Sequence, residues 1–277
     1  MGAVRLLPAT TSIIASLSLM KNTEAALEKY FFEKKNLIKL QSASDINLQT
    51  PTNYKRGKEA PCTVSNLSIK NISFYHDQGN ELFKSLSFSL NKGDIIGIFG
   101  ASGSGKSTLI SILLGLLKPI NGKVLLDGVS VDEVVVADYF SYVPQFPFIS
   151  NDSLINNIVY PGNEKNIPQI KQLMTALGLS NLFNGEVAEL SNVVGENGIH
   201  LSGGQAQRIA LVRAISQDKD ILVIDEGTSA LDHDSTNKVL KVLSSIKEDK
   251  IIIVVSHQKE ILEICDRVYC LDSKSFN

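Results

Sequence analysis

The run Gly100-Ala-Ser-Gly-Ser-Gly-Lys-Ser107, set between an apolar stretch ending at Phe99 and another running from Thr108 to Leu117, restricts this fold more than any other feature. Glycines at 100, 103 and 105 let the backbone curl where a side chain would resist it. With a buried strand before it and a helix after it, such a curl points its N–H groups at one spot by the positive end of the helix, which is a built anion site. The spacing G-x-x-x-x-G-K-[ST] is that of a phosphate-binding loop. Lys106 brings a mobile positive charge, and the Ser107 hydroxyl is a ligand for a Mg2+ ion that bridges the phosphates. Ser102, Ser104 and Thr108 complete the candidate phosphate contacts.

A strand–loop–helix unit of this kind belongs to a parallel sheet, so the predicted fold class is α/β. Continuous apolar runs at Asp94 to Phe99, Ile221 to Ile224 and Ile251 to Val255 read as buried parallel strands. Alternation at Val64, Leu67, Ile69, Ile72 and Phe74, with turn signals at Asn121-Gly122 and Asp127-Gly128, predicts an antiparallel β-layer. Helical spacing from about Ser153 to Leu190 predicts a small helical subdomain between the halves of the sheet. The second of these runs ends in Asp225-Glu226 at the strand edge that opens on the loop. In phosphoryl transfer, Asp225 would hold the Mg2+ shell and Glu226 would orient and deprotonate the attacking water.

These elements place a compact domain over residues 62–277. Residues 41–61 are polar, hold two prolines and lack periodicity, which reads as a linker. Residues 1–40 form a helical extension, with one long helix from about Val4 to Leu37 whose Leu6, Ile13, Met20 and Leu27 recur at heptad spacing. That stripe wants a partner helix or a face of its own domain. Arg5, Pro8 and the Ser/Thr residues between Thr10 and Ser18 keep the run short of the ~20 apolar residues of a membrane span. Lys+Arg 27 against Asp+Glu 29 gives the whole molecule no electrostatic pull toward nucleic acid. Cys62, Cys265 and Cys270 have no metal-binding spacing and fit reduced thiols in a cytosolic chain.

Leu201-Ser-Gly-Gly-Gln205, followed by the helical AQRIALVRAI, is a second glycine-rich helix start. A domain with one phosphate loop has no second triphosphate for it, so it must serve another molecule's nucleotide. Ser202 and the amides near Gly203 and Gly204 suit a γ-phosphate arriving across an interface. Here the chain resembles the ATP-binding cassette family, a P-loop NTPase core, over roughly residues 64–272. The resemblance implies ATP and Mg2+ as ligands, and ATP hydrolysis by a dimer of cassettes. Gln145 in SYVPQ matches the Q-loop glutamine, a contact to Mg2+ or water. Ser229-Ala-Leu-Asp232 matches the D-loop, and His257 matches the switch histidine that would hold the γ-phosphate and Glu226. Gln205 and Asp232 join the expected nucleotide contacts. Tyr75 is the expected adenine-stacking ring, with His76 competing for the role. Lys106, Gln145, Asp225, Glu226 and His257 together imply a hydrolysing site; Ala206 and Gly227 depart from the family's frequent Arg and Ala without removing a reacting group.

Further likenesses narrow the subclass. Val194-Gly-Glu-Asn-Gly198 resembles the exporter X-loop, and Phe146-Pro-Phe148 with the following SNDSLINNI resembles the exporter stretch that receives a coupling helix. The opening RLLPATTSIIASLSLMKNTEAALEKY is similar to the cytoplasmic end of the last membrane helix of a half-transporter, in the style of lipid-linked glycan flippases. These imply a motor at the cytoplasmic face of a membrane, partnered by a second cassette in a homo- or heterodimer and by the transmembrane domain of an exporter. The chain would then be a C-terminal piece of a longer transporter or a separately encoded ATPase subunit. The rivals are a soluble cassette of DNA repair or translation, and an inactive regulatory remnant.

Overall fold

The computed structural model describes residues 63–75, 81–134, 136–159, 167–183, 188–195 and 198–276. The helix predicted over residues 4–37, the linker at 41–61, His76, and Glu196 and Asn197 of the X-loop stretch lie outside the described residues.

A four-stranded antiparallel sheet has the order β2-β1-β4-β5, built from β1 (Asn66–Tyr75), β2 (Glu81–Asn91), β4 (Asn121–Leu126) and β5 (Val129–Ser130). Leu67, Ile69 and Ile72 of β1 are all buried although the spacing changes parity after Ile69. A bulge absorbs the extra residue: Asn71 takes φ 53, and the register with both neighbouring strands shifts at this point. The turn predicted at Asn121-Gly122 is therefore not a hairpin. β4 starts there, and Gly122, at φ 88, presses so closely on the carbonyls of Lys70 and Asn71 that no Cβ would fit. Asp127 and Gly128 do form a hairpin turn between β4 and β5, both with positive φ as that turn type requires.

The second sheet has the order β10-β9-β3-β8-β7-β6, made from β3 (Ile95–Phe99), β6 (Phe140–Val143), β7 (Ile221–Asp225), β8 (Ile251–Val255), β9 (Arg267–Cys270) and β10 (Ser275–Phe276). It is parallel except for β10. Its central strands are apolar up to Asp225, the last residue of β7, because each face is covered. Ile96, Ile98, Val223, Ile253 and Val255 join one core with the antiparallel sheet and helix α1 (Lys106–Leu113). Ile95, Leu222, Ile224, Ile252 and Val254 join the other, with helices α2 (Leu154–Ile158), α3 (Ile167–Ala176), α4 (Gly203–Ser216), α5 (His233–Ile246) and α6 (Lys259–Glu263). At roughly 1.5–3 kcal/mol per buried aliphatic side chain, this two-faced burial fixes the order of the strands and thereby the edge where their ends meet. The helical subdomain expected between residues 153 and 190 is present as α2, α3 and short 3-10 turns. No helix among the described residues is long and apolar enough to cross a membrane.

Candidate functional site

In a parallel sheet every strand ends on the same edge, so adjacent strands bring together loops distant in sequence. The neighbours β3, β8, β7 and β6 deliver, in that order, the Gly100–Ser107 loop, His257, Asp225 with Glu226, and Gln145. The loop, His257, Glu226 and Gln145 meet around a cleft of about 450 Å3, and Asp225, one residue before Glu226, is not among its lining residues. Its loop side is formed by Ser102, Gly103, Gly105, Lys106, Ser107 and Thr108, and its far side by Gln145, Glu226 and His257.

The loop has the geometry its glycines promised. Gly103 and Gly105 take φ 83 and φ 100, and a Cβ on Gly105 would lie 2.8 Å from Phe83 Cζ, so glycine is demanded there twice over. Gly105 caps α1 with no side-chain hydrogen bond, which leaves the first amides of that helix for an anion. Lys106 Nζ donates to the carbonyls of Gly100 at 2.7 Å and Ala101 at 2.9 Å, holding the ammonium over the loop. Gly100 sits at the base, where a Cβ would come within 2.6 Å of Ser104 Oγ. That hydroxyl is buried without a hydrogen-bond partner.

On the far wall, Gln145 Nε2 donates to Glu226 Oε2 at 2.6 Å, and His257 Nε2 stands 3.3 Å from Glu226 Oε1. Both carboxylate oxygens are thereby engaged. Glu226 has a φ of 47, a left-handed conformation that costs a non-glycine residue about 1–3 kcal/mol. The turn is held by Glu226 N donating to Val255 O at 2.9 Å and Ser229 N donating to Glu226 O at 3.0 Å. Beside it, burial pushes the Asp225 carboxyl upward; a hydrogen bond from Tyr142 opposes the rise, Glu226 adds to it, and Lys106 lowers it. Tyr142 Oη donates to Asp225 Oδ2 at 3.3 Å, and burial together with Asp225 pushes the phenol up to about 12.

The second glycine-rich helix start, the Leu201–Gln205 signature, lines a different cleft, of about 270 Å3, with Ser202, Gly203, Gly204, Arg208, Ala230 and Asp232 among its walls. Ser202 caps α4: its Oγ accepts from Gln205 N at 3.2 Å, while Gln205 Oε1 accepts from Ser202 N at 2.8 Å. The Gln205 side chain is thus folded back on its own helix start and is not among the residues lining the cleft. Asp232 caps α5 by accepting from Ser235 N at 2.8 Å, and the Ser235 hydrogen bonds hold its carboxyl below the ordinary range. Tyr75, half-exposed at the end of β1, lies outside both cleft linings. Register nevertheless brings it near the loop, since its neighbour Phe74 pairs with Phe83, the ring that underlies Gly105.

Two further residues join these sites: Tyr142 in SYVPQ and Gln207, two positions past the signature. Their partners are remote in the chain, and the only local signal for Gln207 was a polar residue on an otherwise apolar helix face. Phe146 and Phe148 are 84% and 76% exposed, well beyond what a core aromatic shows. Behind them, Arg213 of α4 donates to Phe148 O at 3.1 Å and Asn157 O at 2.6 Å.

Comparison with known proteins matches residues 83–229 to the family model described as ABC transporter. The ATP-dependent lipid A-core flippase of Neisseria gonorrhoeae is 31% identical over 230 residues, covering 81% of this chain and 37% of that protein. The alpha-hemolysin translocation ATP-binding protein HlyB of Escherichia coli O157:H7 is 32% identical over 241 residues, covering 85% and 34%. Among solved structures, a bacterial Atm1-family ABC exporter with ATP bound superposes with a TM-score of 0.70 at 26% identity, covering 78% of this chain and 38% of that one. The chain spans little more than a third of the length of these relatives.

Proposed function

The chain belongs to the ABC transporter family, and from that premise we propose that residues 62–277 bind and hydrolyse ATP to power export or flipping of a substrate across a membrane. The observation that carries the reading is the pairing of a phosphate loop with a carboxylate clamped by Gln145 and His257 across one cleft. On this reading, the ATP phosphates rest on the loop amides of Gly100 to Thr108, with Lys106 swinging from its carbonyls to the β- and γ-phosphates. The buried Ser104 hydroxyl supplies a donor that has no partner of its own. Tyr75 stacks on the adenine.

The donor set suits Mg2+. No group of three or more His, Cys, Asp or Glu side chains among the described residues could hold a metal unaided. Mg2+ is instead held by few protein oxygens, of which one or two are carboxylates, with phosphates and water completing its shell, and Ser107 Oγ, the Asp225 carboxylate and Gln145 Oε1 are oxygen donors of that kind. When bound, the ion neutralises charge building on the departing phosphate. Glu226 accepts the proton of the attacking water; Gln145 and His257 keep its carboxylate aimed, so little reorganisation is needed in the transition state.

The separate signature cleft supports a dimer. Ser202, Gly203, Gly204 and Asp232 face a second cassette's nucleotide, in a homo- or heterodimer closed around two ATP molecules, and Gln205 holds the Ser202 cap beside them. The exposed Phe146 and Phe148 offer an apolar contact to the transmembrane domain of an exporter, with the motor at the cytoplasmic face of the membrane and residues 1–40 and 41–61 as helical extension and linker. The test is Mg-dependent ATP turnover by the chain and by its Glu226→Gln variant. The variant should bind ATP and lose turnover by about 100-fold or more; equal turnover would remove Glu226 as the base.

A further inference from the structure

Gln207 is 4% exposed on the second turn of the signature helix α4, and its amide reaches four groups on two other segments, the Gln145 loop and the turn from Glu226 to Ala230. Nε2 lies 3.1 Å from Ser229 Oγ, 3.4 Å from Gln145 O and 3.5 Å from Glu226 O. Oε1 accepts from Ala230 N at 3.0 Å, which sets which end of the amide is which. Two of these partners are the backbone of the residues that form the carboxylate clamp in the phosphate-loop cleft. A third, Ala230, belongs to the other cleft, where a Cβ on Gly204 would lie 3.0 Å from Ala230 O.

We propose that Gln207 is a positioning residue that links the two clefts of the chain, so that the Gln145–Glu226 clamp and the backbone of residues 229–230 shift together. The inference rests on the two-cleft reading above, in which one chain contributes to two different nucleotides. A neutral primary amide is the group that fits, because it donates at one end and accepts at the other. Nε2 carries two hydrogens for three oxygens and bonds at most two well at once. A small movement of the Gln145 loop or the Glu226 turn therefore redistributes its donors while Oε1 keeps hold of Ala230. Leucine would fill the volume but leave these buried groups unpaired, and glutamate would turn an acceptor toward three acceptors.

The experiment compares the whole chain with its Gln207→Leu and Gln207→Glu variants. Three quantities are read: Mg-ATP affinity, ATP turnover, and amide hydrogen exchange of Ser229 to Leu231 with and without Mg-ATP. Affinity should stay within about 3-fold while kcat falls about 10-fold or more in both variants. In the wild type, Mg-ATP should slow exchange at Ala230. Gln207→Glu keeps an acceptor for Ala230 N–H and should retain the ATP-free protection yet lose the ATP-dependent part; Gln207→Leu should lose both. Wild-type kcat in the two variants, an ATP-dependent slowing that survives in Gln207→Glu, or a wild type that binds ATP without any change at Ala230 would each overturn the link. A wild type that binds no Mg-ATP at all would sink the nucleotide reading, and this proposal with it.

Discussion

Gln145 Nε2 donates to Glu226 Oε2 across 2.6 Å, joining the ends of two neighbouring strands whose residues are 81 positions apart in the chain. Replacing that donor with a carboxylate of the same shape should be more harmful than removing it. In Gln145→Glu two carboxylates share the space, only one ionises readily, and the pair's pKa rises. The acid limb of the pH–rate profile should move upward, with turnover at neutral pH down by about 10-fold or more. A profile that overlays the wild type would show that this contact does not tune the base.

Asp225 should cost the fold stability. Its carboxyl is raised above the ordinary 3.8, chiefly by burial, so the ionised form is less favourable folded than unfolded. The folded chain then holds more proton than the unfolded chain above pH 3.8, and stability falls as pH rises through that window. Asp225→Asn should raise the melting temperature at pH 7, because it removes a charge that burial disfavours. The gain should shrink as pH is lowered toward 3.8, while Mg2+ stimulation of turnover is lost. Thermal melts across that pH range check the sign; a variant less stable than wild type at pH 7 would contradict it.

Ser202 has a structural duty as the cap of α4 and a proposed duty toward a partner's γ-phosphate, and two substitutions separate them. Ser202→Ala loses the cap and should cost about 1 kcal/mol. Ser202→Asp keeps a good cap, so its melting temperature should hold, but it places a negative charge where the phosphate would arrive and should abolish ATP-dependent dimerisation. Full dimerisation of Ser202→Asp, followed by light scattering with Mg-ATP, would reduce Ser202 to a cap.

Tyr75 stands one residue past the Phe74–Phe83 pair whose Phe83 ring underlies Gly105. Being half-exposed, it can be truncated with little effect on the fold. Tyr75→Ala should weaken ATP binding about 10-fold, in keeping with loss of an aromatic stack, and leave the melting temperature within a degree or two. If His76→Ala alone weakens binding in the same titration, the stacking ring is the neighbour.

What could be read locally was what the chain encodes within a few residues. The phosphate loop was legible because its chemistry occupies one continuous run from Gly100 to Ser107, and the central strands because burial on both faces removes polar residues from them. The Asn121-Gly122 signal was ambiguous for a physical reason: a glycine at positive φ serves a hairpin and a bulge equally well, and only the close approach of β1 decides between them.

The sequence by itself determined that this chain carries a phosphate loop, a carboxylate pair at a strand end and a second glycine-rich helix start. Only the tertiary structure decided that Gln145 takes the Glu226 oxygen that His257 leaves, that Tyr142 leans on Asp225, and that Gln207 bonds to residues of both clefts. Periodicity reports which face of an element is buried, but it does not say which element covers that face. Those contacts follow from the strand order β3-β8-β7-β6, set by packing both faces of the sheet at once.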